Sequence, residues 1–423
     1  LWIWPIWRPQ GPYLWGHYRF LDVYAGLPIA LVTVSATAAA LAPARLRRPL
    51  ALRLTAMCVS LIASVMVVDL IYSLVVAGAW RADYWLDQAH ITRRYSAGDA
   101  ELGFVRKPHV RWRGHAPDVG RMVDYRTDEH GFRNPPGISR ADIVFIGDSF
   151  TEAASIEEPK TFVQRMAAET GMTAVNLGRG AYGPQQELIV LERYGLSYQP
   201  RVVVWQLFEG NDLIDARNFA EWRTTPRPPV KPLLIRYLDN SLLRSAMNGT
   251  RRDRYDRHRA TLRYTDGTAR QVAIRYHYDP RQTEKEALGF EETRMAIEAG
   301  YRLCQSRGIQ LVIVHVPVMA RVLAPWLDFA SAAEREQVLP GDSLIAPLDF
   351  GSQLKTVCQR LGCSYLDLFE SLGARATTDN RGLYIPNNEH LDTQGAEVVA
   401  QAVARLLADS DTNQTAMKSA LKD

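Results

Sequence analysis

Three residues able to carry chemistry stand far apart in the chain but in comparable local settings. Gly147-Asp148-Ser149 closes the apolar run DIVFIG (142–147) and opens IGDSFTEA, so Ser149 falls where a strand gives way to a helix. A serine on such a turn is exposed and has unpaired backbone N–H groups beside it, which suits a nucleophile that must generate an oxyanion nearby. Taken alone, the triplet is equally well explained as a helix-capping serine. Partners at other strand ends decide between the two. NLGRGAYGPQQ (176–186) is a glycine-rich turn whose Gly180 and Ala181 N–H groups can face an anion, and FEGNDL (208–213) offers the Asn211 side-chain amide. PNNEHLDTQG (386–395) brings His390, the side-chain type that most often moves protons near neutral pH. Together they describe acyl transfer through a serine.

The elements that must position these residues are legible as alternating patterns. Short β-branched runs at 142–147, 173–178, 201–208, 309–318 and 363–369 alternate with amphipathic stretches at 161–170, 185–194, 291–307 and 393–408. That alternation predicts a doubly wound α/β fold with a five-stranded parallel sheet, flavodoxin-like in class. Ser149, the glycine-rich turn, Asn211 and His390 then all fall at the carboxyl edge of the strands, where open α/β sheets bind ligands. An insertion at about 220–281 is rich in Arg and Pro and contains Asp266-Gly267 between two alternating runs, which predicts a hairpin serving as a solvated flap or as a lid over the cleft.

With those motifs in place, the chain resembles the SGNH, or GDSL-type, hydrolase superfamily, whose members are esterases, lipases, thioesterases and carbohydrate deacetylases. The resemblance spans roughly 142–405: block one is Gly147-Asp148-Ser149, block two lies around 178–183, block three is Gly210-Asn211-Asp212, and the last block holds His390. TDEHGFRNPP (127–136) resembles the lead-in of bacterial membrane-anchored members. The resemblance implies that Ser149 attacks the acyl carbon and His390 takes its proton. It also implies that the Ser149 N–H, a Gly180 or Ala181 N–H and the Asn211 amide hold the oxyanion.

Three positions depart from the family pattern. Ala181 stands where relatives have glycine, and Glu209 stands two before Asn211 where glycine is usual. Asn388 and Asn387 occupy the places where relatives carry the aspartate before His390. An amide such as Asn388 can orient an imidazole but cannot stabilise imidazolium charge, so either His390 finds another partner, such as a main-chain carbonyl, Glu389 or Asp392, or the domain is a slow enzyme or a silent one. Asp148 and Asp212 read as buttresses of their turns, and His315 as a packing or surface residue.

Val23 to Ala44 and Leu54 to Trp80 are each apolar enough to cross a bilayer, predicting a two-helix transmembrane hairpin that precedes the sheet. The connecting stretch carries Arg45, Arg47, Arg48 and Arg53, which places it in the cytoplasm and everything after about residue 80 on the extracytoplasmic, periplasmic side. Asp69 falls within the second span and reads as an acid reaching the interface. The expected organisation is an anchor at 1–80, a connecting segment at 81–140, the hydrolase domain at 141–409 and a disordered tail at 410–423.

A formal charge of +4 over 423 residues is too weak to mark a nucleic-acid binder. The spacing of His, Cys, Asp and Glu suggests no metal or other cofactor, and of Cys304, Cys358 and Cys363 two could pair. The partner expected is an acylated carbohydrate or lipid of the envelope, met as part of envelope polysaccharide machinery. The reaction expected is ester cleavage, with O-acyl transfer and a silent scaffold subunit as the rival readings.

Overall fold

The computed structural model describes residues 40–76, 95–116, 121–225, 258–274, 283–339, 350–386 and 388–420, with short stretches at 13–14, 18–19, 30, 32–37, 233–234, 237, 241 and 276. The chain forms two compact units, Leu1–Gly98 with Arg227–Asp256, and Asp99–Pro226 with Arg257–Asp423.

In the smaller unit the main element is α1 (Ala44–Ile71), which runs on through a π-helical turn at Tyr72–Val76. Over Ala44–Leu74 it is long and apolar enough to cross a membrane, with a mean hydropathy of 2.3. It is the one such helix among the described residues, so the two-helix hairpin expected from the sequence is not shown. The stretch from Arg45 to Arg53, expected as a connecting loop, forms the first turns of α1 instead. Arg, Leu and Ala are strong helix formers, and Pro49 removes a backbone hydrogen bond there without ending the helix. Asp69 is fully buried: its Oδ2 accepts from the Tyr237 hydroxyl at 2.7 Å and the Ser241 hydroxyl at 2.8 Å, all within this unit.

The larger unit opens with β1 (Gly103–Arg106) and the antiparallel pair β2 (Arg111–Ala116) and β3 (Arg121–Arg126). Its centre is a parallel sheet of β4 (Ile143–Ile146), β5 (Ala174–Asn176), β6 (Val202–Phe208), β9 (Gln310–Val316) and β11 (Ser364–Asp367), ordered β11-β9-β6-β4-β5. A parallel sheet is covered on both faces, which is why IVFI, VVVWQLF and QLVIVHV read as nearly unbroken apolar runs. The order reverses between β4 and β6, and ligands of open α/β sheets bind at that switch.

On one face lie α3 (Phe162–Thr170), α8 (Leu368–Thr378) and α9 (Thr393–Ala420); on the other lie α4 (Pro184–Arg193), α5 (Asp212–Thr224), α6 (Thr283–Gln305) and α7 (Phe350–Leu361). Phe145, Phe162, Met166, Leu372, Val399 and Val403 build the core under the first face. The expected insertion contains the hairpin β7 (His258–Arg263) and β8 (Ala269–Ile274), turned at Gly267 with φ +82°, and β7 also pairs with β10 (Leu327–Phe329).

Two expectations about the flanks differ from the structure. The segment read as a mere connector contributes Asp99 onward to the larger unit, and the tail read as disordered continues α9 to Ala420. QTAMKSAL is composed largely of good helix formers, so a helix begun at Thr393 has no residue there to stop it. Cys58, Cys304, Cys358 and Cys363 are all free thiols.

Candidate active site

Ser149 is the first residue of a single helical turn, α2 (Ser149–Glu152), that leaves the end of β4. Gly147 makes this exit possible: its φ is +154°, and a Cβ there would lie 2.5 Å from Thr151 Oγ1 and 2.6 Å from Gln206 Oε1. Asp148 caps the turn, its Oδ1 accepting the Phe150 N–H at 2.9 Å, while its Oδ2 is 3.4 Å from Ser149 Oγ. Burial pushes the Asp148 carboxyl up to about 6. Asp148 is therefore a buttress that holds the turn.

His390 comes from the loop ahead of α9 and meets the serine: its Nε2 lies 2.7 Å from Ser149 Oγ. Its Nδ1 lies 2.7 Å from Asn388 Oδ1 and 3.1 Å from the Asn388 carbonyl. The His390 backbone N–H also donates to Asn388 Oδ1, at 3.1 Å. Two donors aimed at one atom settle which end of the amide faces the histidine, and hence the tautomer: Nδ1 carries the proton and Nε2 presents a lone pair to the serine. Phe150 packs against the imidazole with ring centroids 4.9 Å apart, which fixes its plane. Asn387 lies outside the described residues. Glu389 turns away from the imidazole; it is buried at φ +63° and accepts the Tyr276 N–H at 3.2 Å.

The three oxyanion candidates fare differently. Ser149, at the start of its turn, has no helical carbonyl for its N–H to reach. The Gly180 N–H donates to Glu152 Oε2 at 2.7 Å. The Ala181 N–H donates to nothing among the described residues, and Ala181 is exposed at φ +66°. Of the two block-two groups, Ala181 is the one left for a ligand. Asn211, at the N-terminus of α5, donates through Nδ2 to Asp215 Oδ2 at 2.6 Å and its side chain also hydrogen-bonds Asp148, which fixes the amide beside the nucleophile turn.

The Glu209 carboxylate is buried and accepts from Arg321 Nη1 at 2.5 Å and the Val318 N–H at 2.8 Å, with His315 Nε2 at 3.2 Å. His315 Nδ1 lies 3.3 Å from Asp367 Oδ1. His315, which the sequence reads as a packing or surface residue, is fully buried. Although burial works against its charge, hydrogen bonds to Asp367 and Glu209 push the imidazole up to about 9. The network ties together the ends of β6, β9 and β11, beside Asn211.

Sequence reasoning missed the residues that brace the nucleophile from the N-terminal side. Arg133 donates to the carbonyls of Glu152, Ala153 and Ile156, holding the far end of the turn. Asn134 pairs with Asn176 like a strand residue, accepting its N–H at 2.8 Å and donating to its carbonyl at 2.9 Å. The one available signal was TDEHGFRNPP, and it was carried only by resemblance.

Residues 276–422 match a family model described as the SGNH hydrolase-like domain of the acetyltransferase AlgX. No curated protein matches the chain in sequence. Among solved structures, an acetylxylan esterase from Geobacillus stearothermophilus is similar at 11% identity and a TM-score of 0.36, over 63% of this chain and 94% of that one. A GDSL-like lipase from Bacteroides thetaiotaomicron is similar at 11% identity and a TM-score of 0.33, over 63% of this chain and 88% of that one. Residues 276–422 are thus similar to an SGNH hydrolase-like domain, the superfamily that the motifs resemble.

Proposed function

We propose that the chain is a serine-dependent enzyme that moves acyl groups, O-acetyl above all, on carbohydrate of the cell envelope. The observation that carries this reading is the relay Ser149 Oγ to His390 Nε2 at 2.7 Å and His390 Nδ1 to Asn388 Oδ1 at 2.7 Å. Ser149 Oγ attacks the acyl carbonyl carbon as His390 Nε2 takes its proton. The tetrahedral oxyanion is held by the N–H groups of Ser149 and Ala181 and by Asn211 Nδ2, and it collapses to an acyl-serine as the protonated His390 returns the proton to the leaving alcohol. A second alcohol or water then reverses the steps.

Two features support the envelope setting: the helix Ala44–Leu74, long and apolar enough to anchor the chain, and the match to an acetyltransferase domain. Asn388, a neutral amide, gives the imidazolium less help than a carboxylate would, which slows hydrolysis and transfer alike. The test is an acetyl aryl ester offered with and without a sugar alcohol. Release of the aryl alcohol should depend on Ser149 and rise with the acceptor, with acetylated sugar as the product. Equal release by wild type and Ser149→Ala would remove the esterase and the transferase alike.

A further inference from the structure

Glu152 ends the turn that Ser149 begins, and it is 3% exposed. Five donors converge on its carboxylate. Oε1 accepts from the Tyr125 hydroxyl at 2.5 Å and from Arg106 Nε and Nη2 at 3.0 and 2.8 Å. Oε2 accepts from the Gly180 N–H at 2.7 Å and from Arg179 Nη1 at 3.3 Å. Both guanidiniums are backed by aromatic rings, Arg106 over Tyr125 at 5.5 Å and Arg179 over Phe104 at 4.9 Å. A buried cation, Arg179, and a partly buried one, Arg106, thus flank the buried anion behind the glycine-rich loop. Burial alone would raise the Glu152 carboxyl, but Arg106 and Arg179 hold it far below the usual carboxylate range, so the anion persists at every working pH.

The loop is pressed against the nucleophile. A Cβ on Gly180 would lie 2.9 Å from Glu152 Oε2 and 3.3 Å from Ser149 Cβ. With the Gly180 N–H committed to Glu152, the backbone passes through Ala181 in the left-handed region, which an alanine adopts only when its surroundings impose it. The anchored Gly180 imposes it, and the turn leaves the N–H of exposed Ala181 without an acceptor among the described residues, one residue on from the glycine that packs against Ser149.

We propose that Glu152, held by Arg106, Arg179 and Tyr125, is the positioning residue that presents the Ala181 N–H to the oxyanion. Because Arg106 and Tyr125 come from β1 and β3, the strands ahead of the hydrolase sheet are part of the catalytic device. This rests on the acyl-serine reading above, and the experiment separates the two.

The full chain is assayed for turnover of p-nitrophenyl acetate and for the rate at which a fluorophosphonate labels Ser149. In Glu152→Gln the carboxamide cannot accept from both sides, so kcat should fall about 10²-fold, the loss typical of one oxyanion donor, with KM nearly unchanged and the labelling rate reduced in parallel. The pH midpoint set by His390 should stay where it is, which a general loosening of the fold would not allow. Tyr125→Phe is the milder variant, removing one donor from Oε1 while keeping the ring, and should lower kcat several-fold at constant KM. Folded Glu152→Gln with wild-type kcat, or with the loss entirely in KM, overturns the proposal. If Glu152→Gln does not fold, an unchanged kcat in Tyr125→Phe overturns it. Wild type that neither turns over nor labels overturns the acyl-serine reading and this inference together.

Discussion

At the scale of single residues, the site turns on an amide where a carboxylate is expected. Asn388 orients His390 through Oδ1 but, in the proposed mechanism, brings no negative charge to the imidazolium that would form during attack. Asn388→Asp has the same shape and supplies that charge, so the account predicts a rise in turnover of at least ~10-fold, absent when His390→Ala is added. Steady-state kinetics on an aryl acetate checks it, and an unchanged or lower rate in folded protein contradicts it. Ala181 is the second such residue. An alanine at φ +66° is strained and a glycine is not, so Ala181→Gly should stabilise the protein by about 0.5–1 kcal/mol, seen as a higher Tm. Both positions were visible in the sequence as departures from a pattern. Which hydrogen-bond partner His390 takes was not visible, because Asn388, Glu389 and Asp392 all lie within two residues of it along the chain and only the turn before α9 chooses among them.

At the scale of elements, the strands and their order were readable because apolar β-branched runs and amphipathic runs alternate with little ambiguity. The charged networks that lock the strand ends were not. Their members, Glu209, His315, Arg321 and Asp367, lie on three strand exits with no common spacing, and a histidine in an apolar run looks like packing. The lock has a testable pH signature. Because the His315 imidazole is raised from its ordinary 6.5 to about 9, its contribution to stability is complete below pH 6.5 and is lost as pH rises through about 9. Denaturant unfolding across that window should show the decline, and His315→Gln should flatten it while destabilising the protein by ~3–5 kcal/mol. Glu152 has the opposite sign. Its lowered carboxyl contributes stability above its ordinary 4.5 that is lost as pH falls, so Glu152→Gln should weaken the acid dependence.

At the scale of the whole molecule, one unit carries a helix long and apolar enough to cross a membrane and the other carries the proposed site. The Arg45 to Arg53 stretch is helical, and from its charge we propose a cytoplasmic start to α1, with the larger unit extracytoplasmic. Arg140 is exposed in that unit, so on a Cys363→Ser background Arg140→Cys should react with a membrane-impermeant maleimide in intact spheroplasts. Labelling only after permeabilisation would reverse the topology. Every functional reading rests on Ser149 being an activated nucleophile. The most direct test is intact-mass analysis of the full chain after exposure to a fluorophosphonate. The account predicts one adduct, mapped to Ser149, formed slowly in His390→Ala and not at all in Ser149→Ala. An unmodified wild-type chain, or an adduct that persists in Ser149→Ala, would contradict it.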